Sequence, residues 1–161
     1  MPAITDRIMS IKQTRLADEK LSNGGIEAEY FVLGGAHLGT SIARRLHAEG
    51  HPVSIVDETH DSTELPGLHG NPENIQVLEE AGVSETSTVI VATSRDSRNL
   101  LIAQLVRVHF DVSEILVLVN TPDRYDLVAE VGHEPICATT VLSDTVLDSL
   151  ENMELKLGYT A

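Results

Sequence analysis

Positive charge is scarce in this chain of 161 residues. Eleven lysines and arginines stand against 25 aspartates and glutamates, for a net charge of −14, and lysine occurs only at positions 12, 20 and 156. With no basic stripe to neutralise phosphates, binding along a nucleic-acid backbone is disfavoured. Long apolar runs are missing too. The longest unbroken one, Ile115 to Val119, is far short of the roughly 20 residues that a membrane-spanning helix needs. Asp6 and Arg7 near the start are not followed by an apolar stretch, which argues against a secretory signal. The single cysteine, Cys137, cannot form an internal disulfide, which suits a reducing cytoplasm. There is no short internal repeat and no low-complexity tract. The acidity is spread over most segments. It reads as a solvated acidic surface suited to a very salty cytoplasm, where screening relieves self-repulsion, and so as the mark of a halophile; the alternative is an acidic partner face.

What is present divides the chain into three. Residues 1–27 are polar and mixed, with Ser22-Asn-Gly-Gly25 as a hinge and Thr5 placed to cap a short helix over Asp6 to Lys20. This segment reads either as an arm packed on the domain or on a second subunit, or as a loose tail. Residues 28–150 form the domain, and 151–161 a C-terminal tail. Within the domain, short apolar strands alternate with helix-period segments. Strands are expected at 28–33, 52–57, weakly at 67–69, and at 88–93, 114–119 and 135–138; helices at 38–49, 72–81, 96–110, 122–131 and 140–152. Runs such as Val89-Ile-Val-Ala92 and Ile115-Leu-Val-Leu-Val119 lack polar alternation, as strands buried on both faces do. The expected fold is α/β: a Rossmann-like, doubly wound, mostly parallel six-stranded sheet with helices on both faces.

In such folds ligands bind at the carboxyl ends of the strands, where the winding reverses. The first strand ends in Gly34-Gly-Ala-His-Leu-Gly39. A strand, a tight turn and a helix N-terminus make an anion site from backbone N–H groups and the helix dipole. Gly34 and Gly39 hold the first and third places of the dinucleotide fingerprint, but Ala36 stands where the middle glycine belongs. Gly35, one residue earlier, is placed to compensate. His37 and Leu38 complete the turn. The second strand ends in Asp57 and Glu58, and an acid about 20 residues past the glycines accepts hydrogen bonds from a ribose diol and repels a 2′-phosphate. The third ends in Gly70-Asn71-Pro72, where Asn71 either offers its amide to an adenine edge or caps the next helix. The fourth ends in Thr93 and Ser94, with Asn99 a turn into the following helix; the fifth ends in Asn120.

Three segments carry a family resemblance: Gly34 to Gly39, then Gly70-Asn-Pro-Glu-Asn-Ile-Gln-Val-Leu-Glu-Glu-Ala-Gly82, then Ala92-Thr-Ser-Arg-Asp-Ser-Arg-Asn-Leu100. Together they resemble the TrkA-type N-terminal domain (RCK-N, or KTN) of cytosolic potassium-transport regulators, over about residues 29–150. Asn120 matches a strand end of that family. The chain departs from it at Ala36, at Asn71 in place of an aspartate, and at Leu118 where an arginine is frequent. The resemblance implies a cytoplasmic regulatory domain that binds NAD(H), or else ATP, ADP or AMP. It also implies a homodimer or higher homo-oligomer, formed over helices 122–131 and 140–152 with apolar surface from Ile136, Val141, Leu142, Val146 and Leu147. The partner would be a membrane potassium transporter or channel.

Catalysis finds little support in the residues. The dyad Tyr-x-x-x-Lys is missing, since Tyr125 meets Ala129 and Tyr30 meets Gly34 at that spacing. The seven histidines show no compact metal-ligand spacing, and Cys137 reads as a buried, inert thiol. The rival readings are a small NAD-dependent oxidoreductase that works with a separate substrate domain, and a stand-alone redox or energy sensor.

Overall fold

The computed structural model describes residues 28–61 and 64–158. The expected N-terminal arm and its helix lie outside the described residues. Six strands form one sheet: β1 Tyr30–Leu33, β2 Val53–Asp57, β3 Gly67–His69, β4 Thr88–Val91, β5 Glu114–Val119 and β6 Glu134–Cys137. The order is β3-β2-β1-β4-β5-β6 and every pairing is parallel, so the sheet is wholly rather than mostly parallel. Five helices connect and follow the strands: α1 Ala36–Ala48, α2 Ile75–Ala81, α3 Asp96–Phe110, α4 Tyr125–Glu130 and α5 Ala138–Leu157. The winding reverses between β1 and β4, which are direct neighbours in the sheet although two strands lie between them in the chain.

The alternation of side chains along each strand builds two cores. Phe31, Leu33, Val56, Val89, Val91, Ile115, Val117 and Val119 point to one face, under Leu78 of α2, Ile102, Ala103 and Val106 of α3, and Val128 of α4. Tyr30, Val32, Val53 and Ile55 point to the other, under Ala43, Ile42 and Leu46 of α1. Fully burying one such branched side chain contributes about 1.5–3 kcal/mol. Among the described residues, the second face is covered mainly over β1 and β2. Beyond them Ile90, Leu116 and Leu118 are half-buried and Ile136 is exposed.

Three helices differ from expectation. The α2 helix starts at Ile75 rather than residue 72, because Asn71 folds its side chain onto the N–H of Glu73 and Asn74 supplies the cap, accepting from the N–H of Gln76 at 2.9 Å. Residues 122–131 divide into a 3₁₀ turn at Pro122–Arg124 and α4. The α5 helix runs five residues past the expected end at 152 and takes in most of the supposed tail. None of its residues is buried.

His133, just before β6, is buried, and neither ring nitrogen has a hydrogen-bond partner. Burial, and then the charge of Arg107, hold this imidazole below its ordinary value. The folded state therefore binds a proton less readily than the unfolded chain. The stability that depends on neutral His133 is complete above the unfolded value, about pH 6.5, and is lost as pH falls from there towards the folded-state value. The urea midpoint of the wild type should fall between about pH 7 and about pH 5, and His133→Leu should flatten that slope. Equal slopes in the two proteins would contradict the assignment.

A candidate nucleotide cleft at the strand ends

The turn after β1 is forced close to β4. Gly34 and Gly35 both have positive φ, 73° and 96°. A Cβ on Gly35 would lie 2.6 Å from the carbonyl oxygen of Ala92, and one on Gly34 would strike the methyl group of Thr93. Gly39, in the first turn of α1, packs on the carbonyl of Gly34 with no room for a Cβ. The glycines at 34, 35 and 39 are thus required by contact. Ala36 is different. It adopts φ 45°, a left-handed conformation that costs a non-glycine residue roughly 1–2 kcal/mol. That conformation turns its N–H onto Oδ2 of Asp57 at 2.9 Å. Two further N–H groups of the turn, those of Leu38 and Gly39, bond to the carbonyl of Gly35.

Asp57 ends β2 on the other side of β1. Besides Ala36 it accepts the N–H and the hydroxyl of Thr59, both at 2.8 Å on Oδ1. Burial alone would raise its pKa. The hydrogen bonds from Thr59 and Ala36 and the charge of Arg98 outweigh burial and hold the carboxyl below its ordinary value. Asp57 is therefore a firmly ionised acceptor.

The walls of β4 and β5 are locked to each other. Asn99 is wholly buried. Its Nδ2 donates to the carbonyls of Thr93 at 3.0 Å and Leu118 at 2.9 Å, while its Oδ1 accepts from the N–H and the hydroxyl of Thr93. Asp96 receives the N–H and side-chain amide of Asn120 and the N–H of Thr121 at 2.7–3.1 Å. Those bonds, against burial, hold it below the usual carboxylate range. Asp96 thus ties α3 to the end of β5 rather than serving only as a cap. Thr139, in the first turn of α5, donates to the carbonyl of Asn120 at 3.1 Å.

Between these walls lies a cavity of about 320 Å³. Of the residues singled out in the sequence, Gly34, Gly35, Ala36, Leu38, Asp57, Glu58, Thr93 and Ser94 line it. Thr59, Pro72, Ala92, Arg98, Leu118 and Asn120 line it as well. The others fall outside that lining. Gly39 is buried beneath the turn, and Gly70 lies against Val77. Asn71 turns its side-chain oxygen to the N–H of Glu73 and to Arg98. Asn99 is a brace between strand ends, with its whole amide engaged there. His37 lines a neighbouring cavity of about 390 Å³, which shares Ala36 and Thr59 with the first. Arg98 and Thr59 were not legible as site residues, since nothing in their local sequence marks them. Cys137 is buried as expected, and hydrogen bonds from the hydroxyl and N–H of Thr140 hold its thiol below the ordinary value. Among the described residues no three of His, Cys, Asp and Glu gather as metal ligands, and no helix is long and apolar enough to cross a membrane.

Fold and cleft together define a Rossmann-like domain whose strand-end site lies at the reversal of winding. Residues 30–143 match the family model of the TrkA-N domain, and the chain belongs to that family. It is 32% identical over 108 residues to the Trk system potassium uptake protein TrkA homolog of Methanothermobacter thermautotrophicus, an alignment that covers 63% of this chain and 50% of that protein. The chain spans about half the length of the curated relatives it matches. In structure it resembles GsuK bound to ADP, with TM-score 0.69 and 20% identity over 80% of this chain and 35% of that one. It also resembles the AMP-bound Kef C-terminal domain of Shewanella denitrificans, with TM-score 0.63 and 19% identity over 81% of this chain and 83% of that one.

The brace yields a stability prediction. Asn99→Ala would remove four hydrogen bonds to Thr93 and Leu118 at the buried strand ends and should cost about 3 kcal/mol in urea unfolding. A loss under about 0.5 kcal/mol would show that the brace is not needed.

Proposed function

We propose that this chain is a regulatory domain that binds an adenine nucleotide in the strand-end cleft and, as a homodimer, passes the bound state to a membrane potassium-transport protein from the cytoplasmic side. The observation that carries this reading is the pairing of an ionised Asp57 with the glycine turn on one cavity wall. A ribose diol donates two hydrogen bonds; Ala36 and Thr59 take three of the about four lone-pair sites of Asp57, which leaves one on Oδ2 for a ribose hydroxyl. A phosphate would take the N–H groups of Gly35 and His37 at the start of α1, because that of Ala36 is already given to Asp57. The ADP and AMP bound to the two structural neighbours support the adenine half of this reading. NAD(H) fits the same half and would carry its second nucleoside past Leu118 and Asn120. The family likeness to a potassium uptake protein supports the role in transport.

The dimer is read from α5. Leu142, Val146, Leu150, Met153 and Leu157 recur every three or four residues and are all exposed, the pattern of a helix that packs on a partner. Half-buried Leu116 and Leu118 and exposed Ile136 offer a second apolar surface nearby. Asn120 touches both the cavity and, through Thr139, the first turn of α5, so a nucleotide that moves the end of β5 acts directly on the dimer helix. Such coupling requires the nucleotide to bind the two dimer states with different affinity.

Calorimetry with NADH, NAD, ATP, ADP and AMP tests the site. At least one should bind, and Asp57→Ala should weaken it by about 1–3 kcal/mol through the unpaired ribose hydroxyl. Because Asp57 also holds the turn, the variant's fold is checked by circular dichroism. No binding by any of the five ligands would overturn the reading.

A further inference from the structure

Among the described residues that line the cleft cavity, Arg98 is the only one with a cationic side chain. It sits in the first turn of α3, yet its partners belong to other elements. Its Nε donates to Glu73, in the loop before α2, at 2.8 Å, and its Nη2 donates to Glu58, in the loop after β2, and to Oδ1 of Asn71 at 3.2 Å. One guanidinium therefore bridges α3 to the loops that follow β2 and β3. Asp57 adds a third carboxylate whose charge it feels.

We propose that Arg98 is a phosphate-responsive arm: Glu58 and Glu73 hold it in the free protein, and the phosphate of a bound adenine nucleotide takes it from them. The inference rests on the nucleotide reading above and names how that site would be switched. The charge balance argues for it. Three carboxylates surround one cation, so a phosphate entering the cavity meets a net negative field, which Arg98 would offset beside the N–H groups at the start of α1. Its planar fork matches a phosphate with two parallel hydrogen bonds, which a point charge would not do. The grip on it is weak enough to exchange. The side chain of Glu58 is 52% exposed, and ion pairs open to water hold little. The cavity is also lined by Gly34, Gly35 and Ala36 of the glycine turn, so arm and turn face one open cleft. Once the guanidinium leaves, Glu58 and Glu73 lose the cation that joined them, and the loops after β2 and β3 are untied from α3. Nucleotide binding then has a mechanical consequence on the side of the sheet away from α5.

The test compares ADP with adenosine, which has the same base and ribose but no phosphate. Calorimetry is run on the wild type, on Arg98→Gln, and on the double variant Glu58→Gln with Glu73→Gln. Arg98→Gln should weaken ADP about tenfold or more and change adenosine by less than roughly twofold. The double variant, which keeps the arginine and frees it, should bind ADP more tightly than the wild type. Arg98→Gln with ADP unaffected, or with ADP and adenosine weakened equally, would overturn the arm; the second result would make Arg98 a partner of the base. Should Arg98→Gln fail to fold, the double variant decides alone, and ADP affinity no higher than in the wild type overturns the proposal. A wild type that binds neither ligand would overturn the arm, and the nucleotide reading falls with it only if NADH, NAD, ATP and AMP fail to bind as well.

Discussion

The carboxylate of Asp57 joins two turns that would otherwise be independent. Its Oδ2 takes the N–H of Ala36 from the turn after β1, and its Oδ1 takes the N–H and hydroxyl of Thr59 from the turn after β2. This small knot fixes where α1 begins relative to the end of β2, and so fixes one wall of the cavity. It also accounts for Ala36. Set against the dinucleotide fingerprint, alanine in the middle place looks like damage, because the backbone there should be open to a pyrophosphate. Here the residue keeps the left-handed conformation that glycine favours and directs its N–H to Asp57. The middle place of the motif has become a strand-to-strand tie.

The opposite wall is held by a different device. Asn99 and Asp96 both stand in the first turn of α3, but neither serves that helix alone. The amide of Asn99 bridges the ends of β4 and β5, and the carboxylate of Asp96 gathers Asn120 and Thr121. A buried amide with all its groups paired is costly to disturb, so this wall is stiff. The Arg98 bridge is its counterpart on the outside, built from partly exposed charges and easier to break. Thr139 connects the stiff wall to α5. The molecule thus combines a rigid floor, a labile rim, and a helix with an apolar stripe anchored at the floor.

Much of this was legible in the sequence. Unalternating runs of Val, Ile and Leu pointed to a parallel sheet, and the sheet is parallel throughout; β1 and β2 are buried on both faces, whereas in β5 Leu116 and Leu118 are only half-buried. Gly34 to Gly39, Asp57, Thr93 and Ser94 were legible as strand-end residues because the position of a strand end follows from the strand. Roles that depend on tertiary partners were not. Arg98 meets Glu58 from 40 positions away and Asn99 meets Leu118 from 19, and no local pattern announces either pairing. Asn99 looked like a ligand contact because it follows a strand end by one helical turn; burial turned it into a brace. The α2 start slipped because Asn71 and Asn74 are both competent caps, and tertiary contacts chose the second. The α5 helix outran its expected end because the apolar spacing that predicted it continues through Leu157.

The central claim is that occupancy of the cleft is felt by the α5 helix across the Asn120–Thr139 contact. Sedimentation equilibrium, with the chain free and then saturated with whichever adenine nucleotide it binds, measures this directly. The account predicts reversible dimers whose dissociation constant changes on saturation by about fivefold or more, the lower end of ordinary coupling between sites. A dissociation constant identical with and without nucleotide, or a chain that stays monomeric at every concentration, would contradict it.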